Sequence, residues 1–224
     1  MPGTLYIVPT PIGNYDDITL RGLKTLQSVD LIVCEEYKEA RRLLSSLQIT
    51  KELFSLNEHN ERDSAGDVVA LLKEGKNLAL ISDCGTPLFS DPGTYLIGLC
   101  IQANIPIIPL PGTSSLMTAL SGSGFDINKF HYYGWLSPKR EIRTVELQKL
   151  KKTQGLIILL ETPYRLIRLL EDLATAFPRN THGVLAYELT KSDECYYRGT
   201  LEEIRDTAKK NSLKGEFVML VKNN

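Results

Sequence analysis

The chain has 224 residues, 42% of them hydrophobic and 24% charged, which fits a globular protein with room for one large or two modest domains. Its 26 basic and 27 acidic side chains leave a net charge of −1, so no global field draws it to nucleic acid. No apolar run is long enough to cross a bilayer, and Met1-Pro-Gly-Thr lacks the basic region and apolar core of a secretion signal.

Leu5-Tyr-Ile-Val8 is a β-rich run ending in Pro9-Thr-Pro-Ile-Gly-Asn14, with a helix expected from Asp16 or Asp17. Leu31-Ile-Val33 predicts a strand, followed by a helix around Ala40 to Leu47. Ala65, Val68, Val69 and Leu72 fall on one helical face, and Gly75 is placed to end that helix. Leu78-Ala-Leu-Ile81 predicts a buried strand. It empties into Ser82-Asp-Cys-Gly-Thr-Pro-Leu-Phe-Ser-Asp-Pro-Gly93 and precedes a helix read over Thr94 to Cys100, with Asp91 as expected N-cap and Pro92 at the first helical position. Ile105 to Pro109 leads into Leu110-Pro-Gly-Thr-Ser-Ser115 and a helix through Leu120. This βαβα rhythm predicts a mostly parallel sheet with helices on its faces.

The rhythm changes after Gly122-Ser-Gly-Phe125, and a domain boundary is expected near Asp126, giving domains 1–125 and 126–224. His131 to Trp135, Leu156 to Leu160, Val184 to Leu189 and Gly215 to Val221 predict strands. Helices are expected at Arg140 to Lys152, Leu166 to Leu173 and Leu201 to Lys209, and Cys195 to Gly199 in a hairpin-like pairing. The four cysteines, Cys34, Cys84, Cys100 and Cys195, have no metal-ligand spacing. They predict reduced thiols, no metal and a cytoplasmic protein.

Three strands thus end in a Gly/Pro turn followed by a helix. In a parallel sheet all three turns share the carboxyl edge, where open α/β sheets bind ligands. None of the turns matches the GxGxxG or GxxxxGK[ST] phosphate loops. Basic residues cluster at Lys38, Arg41 and Arg42, at Lys139, Arg140 and Arg143, and at Lys149, Lys151 and Lys152. Solvated helix faces are the plain reading of such clusters.

Taken in order, Tyr6-Ile-Val-Pro-Thr-Pro-Ile-Gly-Asn14, Asp17-Ile-Thr19, Ser82 to Gly93, Pro109 to Ser115, Glu188-Leu-Thr-Lys191 and Lys214-Gly-Glu216 resemble the tetrapyrrole methylase superfamily, over nearly the whole chain. The loop strings are most similar to its ribosomal RNA-methylating branch. The resemblance implies two α/β domains of the tetrapyrrole methylase type with S-adenosylmethionine (SAM) in the cleft between them, and a homodimer. It implies methylation of a cytidine 2′-hydroxyl of 16S rRNA in the small ribosomal subunit. Carried over by position, the SAM contacts are Ile12 and Gly13; Cys84, Gly85, Thr86 and Phe89; Ser114 and Ser115; Glu161 and Thr162; and Tyr187 and Leu189. Helix capping is a second role open to Ser114 and Ser115.

Two departures stand out. Relatives usually carry Glu-Asp-Thr-Arg after the second strand, where this chain has Glu35-Glu-Tyr-Lys38. Typical ribosomal members also run on into a small C-terminal extension beyond the point reached by Asn224. Glu35, Glu36 and Lys38 are the candidates for acid/base or substrate-orienting work, against a plain surface pair of Glu35 and Lys38. His59 and His131 are secondary candidates as bases. Arg41, Arg42, Lys139, Arg140 and Arg143 are the expected phosphate contacts. Tyr132, Tyr133, Trp135, Tyr196 and Tyr197 are the aromatic supply for a dimer interface. C-methylation of a corrin or porphyrin precursor, and SAM binding without methyl transfer, are the alternative functions.

Overall fold

The apolar run at the N-terminus forms β1 (Leu5–Ile7), and a short 3-10 turn (Tyr15–Asp17) separates it from α1 (Leu20–Ser28). There follow β2 (Leu31–Cys34), α2 (Tyr37–Ser46), β3 (Glu52–Ser55), α3 (Glu61–Lys73), β4 (Leu78–Leu80), α4 (Thr94–Gln102) and β5 (Ile107–Pro109). The structure is a computed structural model and describes residues 1–223. It divides into two compact units, Met1–Ser114 and the residues from Ser115 on.

The strands of the first unit form one parallel sheet in the order β3-β2-β4-β1-β5. Side chains alternate across a strand, and here both faces are covered. Leu78 and Leu80 of β4 join Leu5, Val33, Val68, Leu72 and Leu96 on one side, while Ala79 and the following Ile81 join Ile32, Leu26, Ala40 and Leu44 on the other. Two-sided burial explains the unbroken apolar run at β4. The strand β3, which lies outside the expectations from sequence, is one edge of the sheet and is no more than half-buried.

The helix after Asp91 begins as expected but is capped differently. Its N-cap is Gly93, at φ 121°, and its first amides, Tyr95 N and Leu96 N, donate to the Glu61 carboxylate at 2.8 and 3.1 Å. The cap therefore comes from α3, more than thirty residues away in sequence. A side chain at Gly93 would also drive its Cβ to 2.6 Å from Leu88 Cδ2.

The second unit contains α5 (Ser115–Ser123), β6 (Phe130–Trp135), α6 (Arg140–Leu150), β7 (Gly155–Leu160), α7 (Leu166–Ala176), β8 (His182–Tyr187), β9 (Cys195–Thr200), α8 (Leu201–Lys210) and β10 (Phe217–Asn223). Its sheet runs β6-β7-β10-β8-β9, parallel only between β6 and β7. Ile157, Leu159, Leu185, Met219 and Val221 pack with α6, α7 and α8 in one core.

The division falls at Ser114/Ser115 rather than near Asp126, because α5 is bound into the second sheet. Tyr196 Oη donates to Thr118 O at 2.9 Å, and Arg198 donates to the Gly122 and Ser123 carbonyls. Gly122 lies against the Tyr196 ring so closely that a Cβ there would meet Cζ at 2.3 Å. Tyr196 is thereby committed inside its own unit. Tyr197 likewise meets Tyr187 edge to face, with centroids 6.2 Å apart. Among the described residues no helix is long and apolar enough to cross a membrane.

Candidate active site

In a parallel sheet the loops that follow the strands all leave from one edge. Here β4 lies between β1 and β2, so the Ser82–Gly93 loop is flanked by the turns after both neighbours. The backbones of the β1 and β4 loops pair directly. Thr10 N donates to Gly85 O at 2.8 Å, and Gly85 N returns to Thr10 O at 3.0 Å. Buried and half-buried hydroxyls add the rest. Thr10 Oγ1 donates to Ser82 O at 3.1 Å, Thr86 Oγ1 to Thr113 O at 2.8 Å, and Thr113 Oγ1 to Thr10 O. The three Gly/Pro turns are therefore one hydrogen-bonded body.

Two close approaches tighten it. A Cβ on Gly112 would sit 2.6 Å from Pro9 Cβ, and one on Gly85, at φ 80°, would sit 3.3 Å from Ile12 Cγ2. Leu88 and Ser90 also take positive φ, 71° and 74°, a strained conformation that the surrounding loop must hold. The expected cofactor residues Ile12, Gly13, Cys84, Gly85, Thr86, Phe89 and Ser114 all lie on this body. Gly13, Cys84 and Phe89 are exposed on it, while Gly85 is buried. Ser115, the first residue of α5, belongs to the other unit.

The same edge gathers carboxylates from separate segments. Glu35 follows β2 and is half-buried. Burial first, and then Asp83, Asp91, Glu36 and Glu58, push its carboxyl up to about 7. Every charge that bears on it is negative. Burial and Asp83 raise Asp91 to about 6, against a hydrogen bond with Ser82 that lowers it. Asp83 is raised by burial and accepts from Glu36 N at 3.3 Å. Burial, followed by Asp83 and Glu36, pushes the Cys34 thiol up to about 12, so it is a core side chain and no nucleophile. Glu36 and Lys38 are exposed beside Glu35. His59 is exposed and stands 3.4 Å from Glu58, and His131 is exposed on β6. Asp83 and Asp91 were present in the sequence motif, but only the fold shows that they bear on Glu35.

In the second unit, Glu161 follows β7 with a fully buried carboxylate. One oxygen accepts from Arg143 Nη1 at 3.1 Å and the other from Thr162 N at 2.9 Å and Arg165 Nη1 at 3.5 Å. Arg143 Nε also donates to Asp172 at 2.6 Å. This overturns one expectation and narrows another. Arg143 is 2% exposed and cannot meet a phosphate, because α6 turns it inward. The Glu161 side chain is spent on internal partners, so a cofactor could meet only its main chain.

Tyr187 ends β8, and its hydroxyl accepts from Gly215 N at 2.8 Å and Lys214 N at 3.3 Å. Glu188, at φ 48°, accepts from Glu216 N and pairs with Lys191 at 2.9 Å. A Cβ on Gly215 would meet Glu188 Oε1 at 2.3 Å. The Glu188–Lys191 and Lys214–Glu216 strings are thus two halves of one clamp, with Leu189 buried in it. Arg41, Arg42, Lys139 and Arg140 are exposed, and Arg42 pairs with Glu39 at 2.7 Å.

The first unit fits a ligand with cationic groups and a carboxylate. Its edge joins half-buried acids to a turn body of exposed main chain and small hydroxyls. Among the described residues no group of three or more His, Cys, Asp or Glu side chains is placed to hold a metal ion.

The family model described as "Tetrapyrrole (Corrin/Porphyrin) Methylases" matches residues 4–205. A relative from Micromonospora olivasterospora, named ribosomal RNA small subunit methyltransferase I, is 40% identical over 220 residues, covering 98% of this chain and 70% of its own. A relative of the same name from Synechocystis is 42% identical over 219 residues, covering 98% and 78%. The solved Thermus thermophilus uroporphyrin-III C-methyl transferase, complexed with S-adenosylhomocysteine, superposes with a TM-score of 0.68 at 14% identity, over 98% of this chain and 97% of that one. The chain belongs to the tetrapyrrole (corrin/porphyrin) methylase family and is a SAM-dependent methyltransferase of that α/β fold.

Proposed function

We propose that this protein methylates a ribose 2′-hydroxyl, that of a cytidine, in the 16S rRNA of the small ribosomal subunit. The observation that carries this reading is the near-full-length similarity, at about 40% identity, to enzymes named for small-subunit rRNA methylation. The main chain and hydroxyls of Ile12, Gly13, Cys84, Gly85, Thr86, Phe89 and Ser114 are the residues to hold SAM in the first unit. Ser115, Thr162, Tyr187 and Leu189, with the main chain of Glu161, are those in the second. Bound SAM supplies an electrophilic methyl carbon on a sulfonium. As the acceptor oxygen takes the methyl group, the methyl–sulfur bond would break and its electron pair would stay on sulfur, leaving S-adenosylhomocysteine; Glu35 takes the hydroxyl proton on a carboxylate oxygen, and its raised pKa suits it to that work near neutrality. Glu36 and Lys38 orient the acceptor. Arg41, Arg42, Lys139 and Arg140 remain the phosphate contacts. The proposed compartment is the cytoplasm.

The test is transfer of labelled methyl to small subunits from a strain lacking this gene, followed by nucleoside mapping. Label is expected in a 2′-O-methylcytidine of 16S rRNA. Label in a tetrapyrrole precursor and none in rRNA would overturn the reading.

The proposed assembly is a homodimer. Phe130 and Trp135 on the edge strand β6, with Ile142 and Val145 on α6, leave exposed apolar surface of the kind that subunits bury. Light scattering is expected to return about twice the 25.1 kDa chain mass. A mass of 25.1 kDa at working concentration would rule the dimer out.

A further inference from the structure

Tyr37 is left unused by the proposed chemistry. It opens α2, two residues after Glu35, and its side chain is 42% exposed. The Arg41 guanidinium lies over the ring, 5.5 Å from its centroid. Both residues line a concavity of about 750 Å³ with Thr50, Lys51 and Leu53. The neighbouring cations are engaged elsewhere: Arg42 pairs with Glu39, and Lys51 Nζ donates to Val29 O at 2.6 Å. Arg41 has the Tyr37 ring and, among the described residues, no carboxylate within ion-pair distance.

One residue ties this platform to the proposed base. Ser55, at the end of β3, donates its amide to Tyr37 Oη and its hydroxyl to Glu35 O, each at 3.1 Å. A ring, an unpaired guanidinium and a concave floor, fixed to the backbone of Glu35, form a stacking surface at a set distance from the reacting group.

We propose that Tyr37 and Arg41 form a nucleotide subsite that stacks one unpaired base of the RNA substrate, with Arg41 also meeting its phosphate. Base–aromatic stacking tolerates any sequence and adds to affinity in a charged groove. The subsite rests on the RNA reading above, and it adds a residue pair that sets where the strand lies relative to Glu35.

The experiment measures binding of a short fluorescein-labelled single-stranded RNA and of purified small subunits, with S-adenosylhomocysteine affinity and methyl transfer measured on the same samples. Tyr37→Leu is expected to weaken both RNA affinities about tenfold, within the range of one lost stack. Tyr37→Phe keeps the ring, loses the bond from Ser55, and is expected to stay within about twofold of the parent. Arg41→Lys keeps the charge without the plane and is expected to fall between. S-adenosylhomocysteine affinity is expected to be unchanged throughout.

Parental RNA affinity in Tyr37→Leu overturns the subsite while leaving the RNA reading intact, provided that the parent methylates subunits. Equal losses in Tyr37→Phe and Tyr37→Leu overturn stacking in favour of the Ser55 bond. A parent that binds uroporphyrin in a Tyr37-dependent way, and no RNA, overturns both the subsite and the reading beneath it.

Discussion

Glu35→Gln is expected to lower kcat/KM for methyl transfer at pH 8 by at least about a hundredfold, the low end of what a positioned general base contributes. The glutamine keeps the shape and the neutral form but cannot accept a proton. The parent's kcat/KM should rise with pH and level off above about 7, because only the ionised carboxylate is a base. That rising limb should vanish in Glu35→Gln. An unchanged limb would assign it to another group and end the role given to Glu35.

The same shift has a sign for stability. The folded carboxyl holds its proton more tightly than its ordinary value of 4.5 allows, so Glu35 favours folding at low pH. That contribution is lost as pH rises from about 4.5 through 7. Glu35→Gln removes the dependence and should be the more stable protein at pH 8, as chemical denaturation at several pH values would read. A variant that gains stability while losing activity separates a chemical role from a structural one.

The parallel sheet and its loop edge were legible in the sequence for a physical reason. Runs such as Leu78-Ala-Leu-Ile81 are buried on both faces and so are apolar throughout, and each is followed by turn residues. The edge strand β3 has one half-exposed face and alternates too briefly to announce itself. Longer-range pairings were hidden. Asp91 looks like a helix cap, but it is drawn to Ser82, and Glu61 does the capping. Glu35 reads as a surface acid because its burial comes from the fold, and Asp83, Asp91 and Glu58, which raise it further, come from other segments. The break near Asp126 was suggested by Gly122 to Phe125, yet the bonds from Tyr196 and Arg198 carry α5 across it. Arg143 follows Lys139 and Arg140 and looks like part of a basic face, while its partners lie 18 and 29 residues away.

That buried pairing carries the largest expected effect on stability. Arg143→Ala is expected to cost about 3–5 kcal/mol, because it leaves the Glu161 carboxylate buried with only the longer Arg165 contact for its charge. The four groups Arg143, Arg165, Glu161 and Asp172 balance as two cations and two anions, so deleting one strands charge in the core of the second unit. Calorimetry should show a fall in Tm of about 10 °C or more. The double variant Arg143→Met with Glu161→Gln removes both buried charges and keeps most of the volume, and it should recover much of the loss. RNA affinity separates this role from the surface one suggested by the sequence. With Arg143 inside, the conservative Arg143→Lys should leave the salt dependence of subunit binding unchanged, whereas Arg140→Ala, on the exposed face of the same helix, should flatten it by about one phosphate contact. A Tm within 2 °C of the parent for Arg143→Ala, or a flattened salt slope for Arg143→Lys, would return Arg143 to the surface.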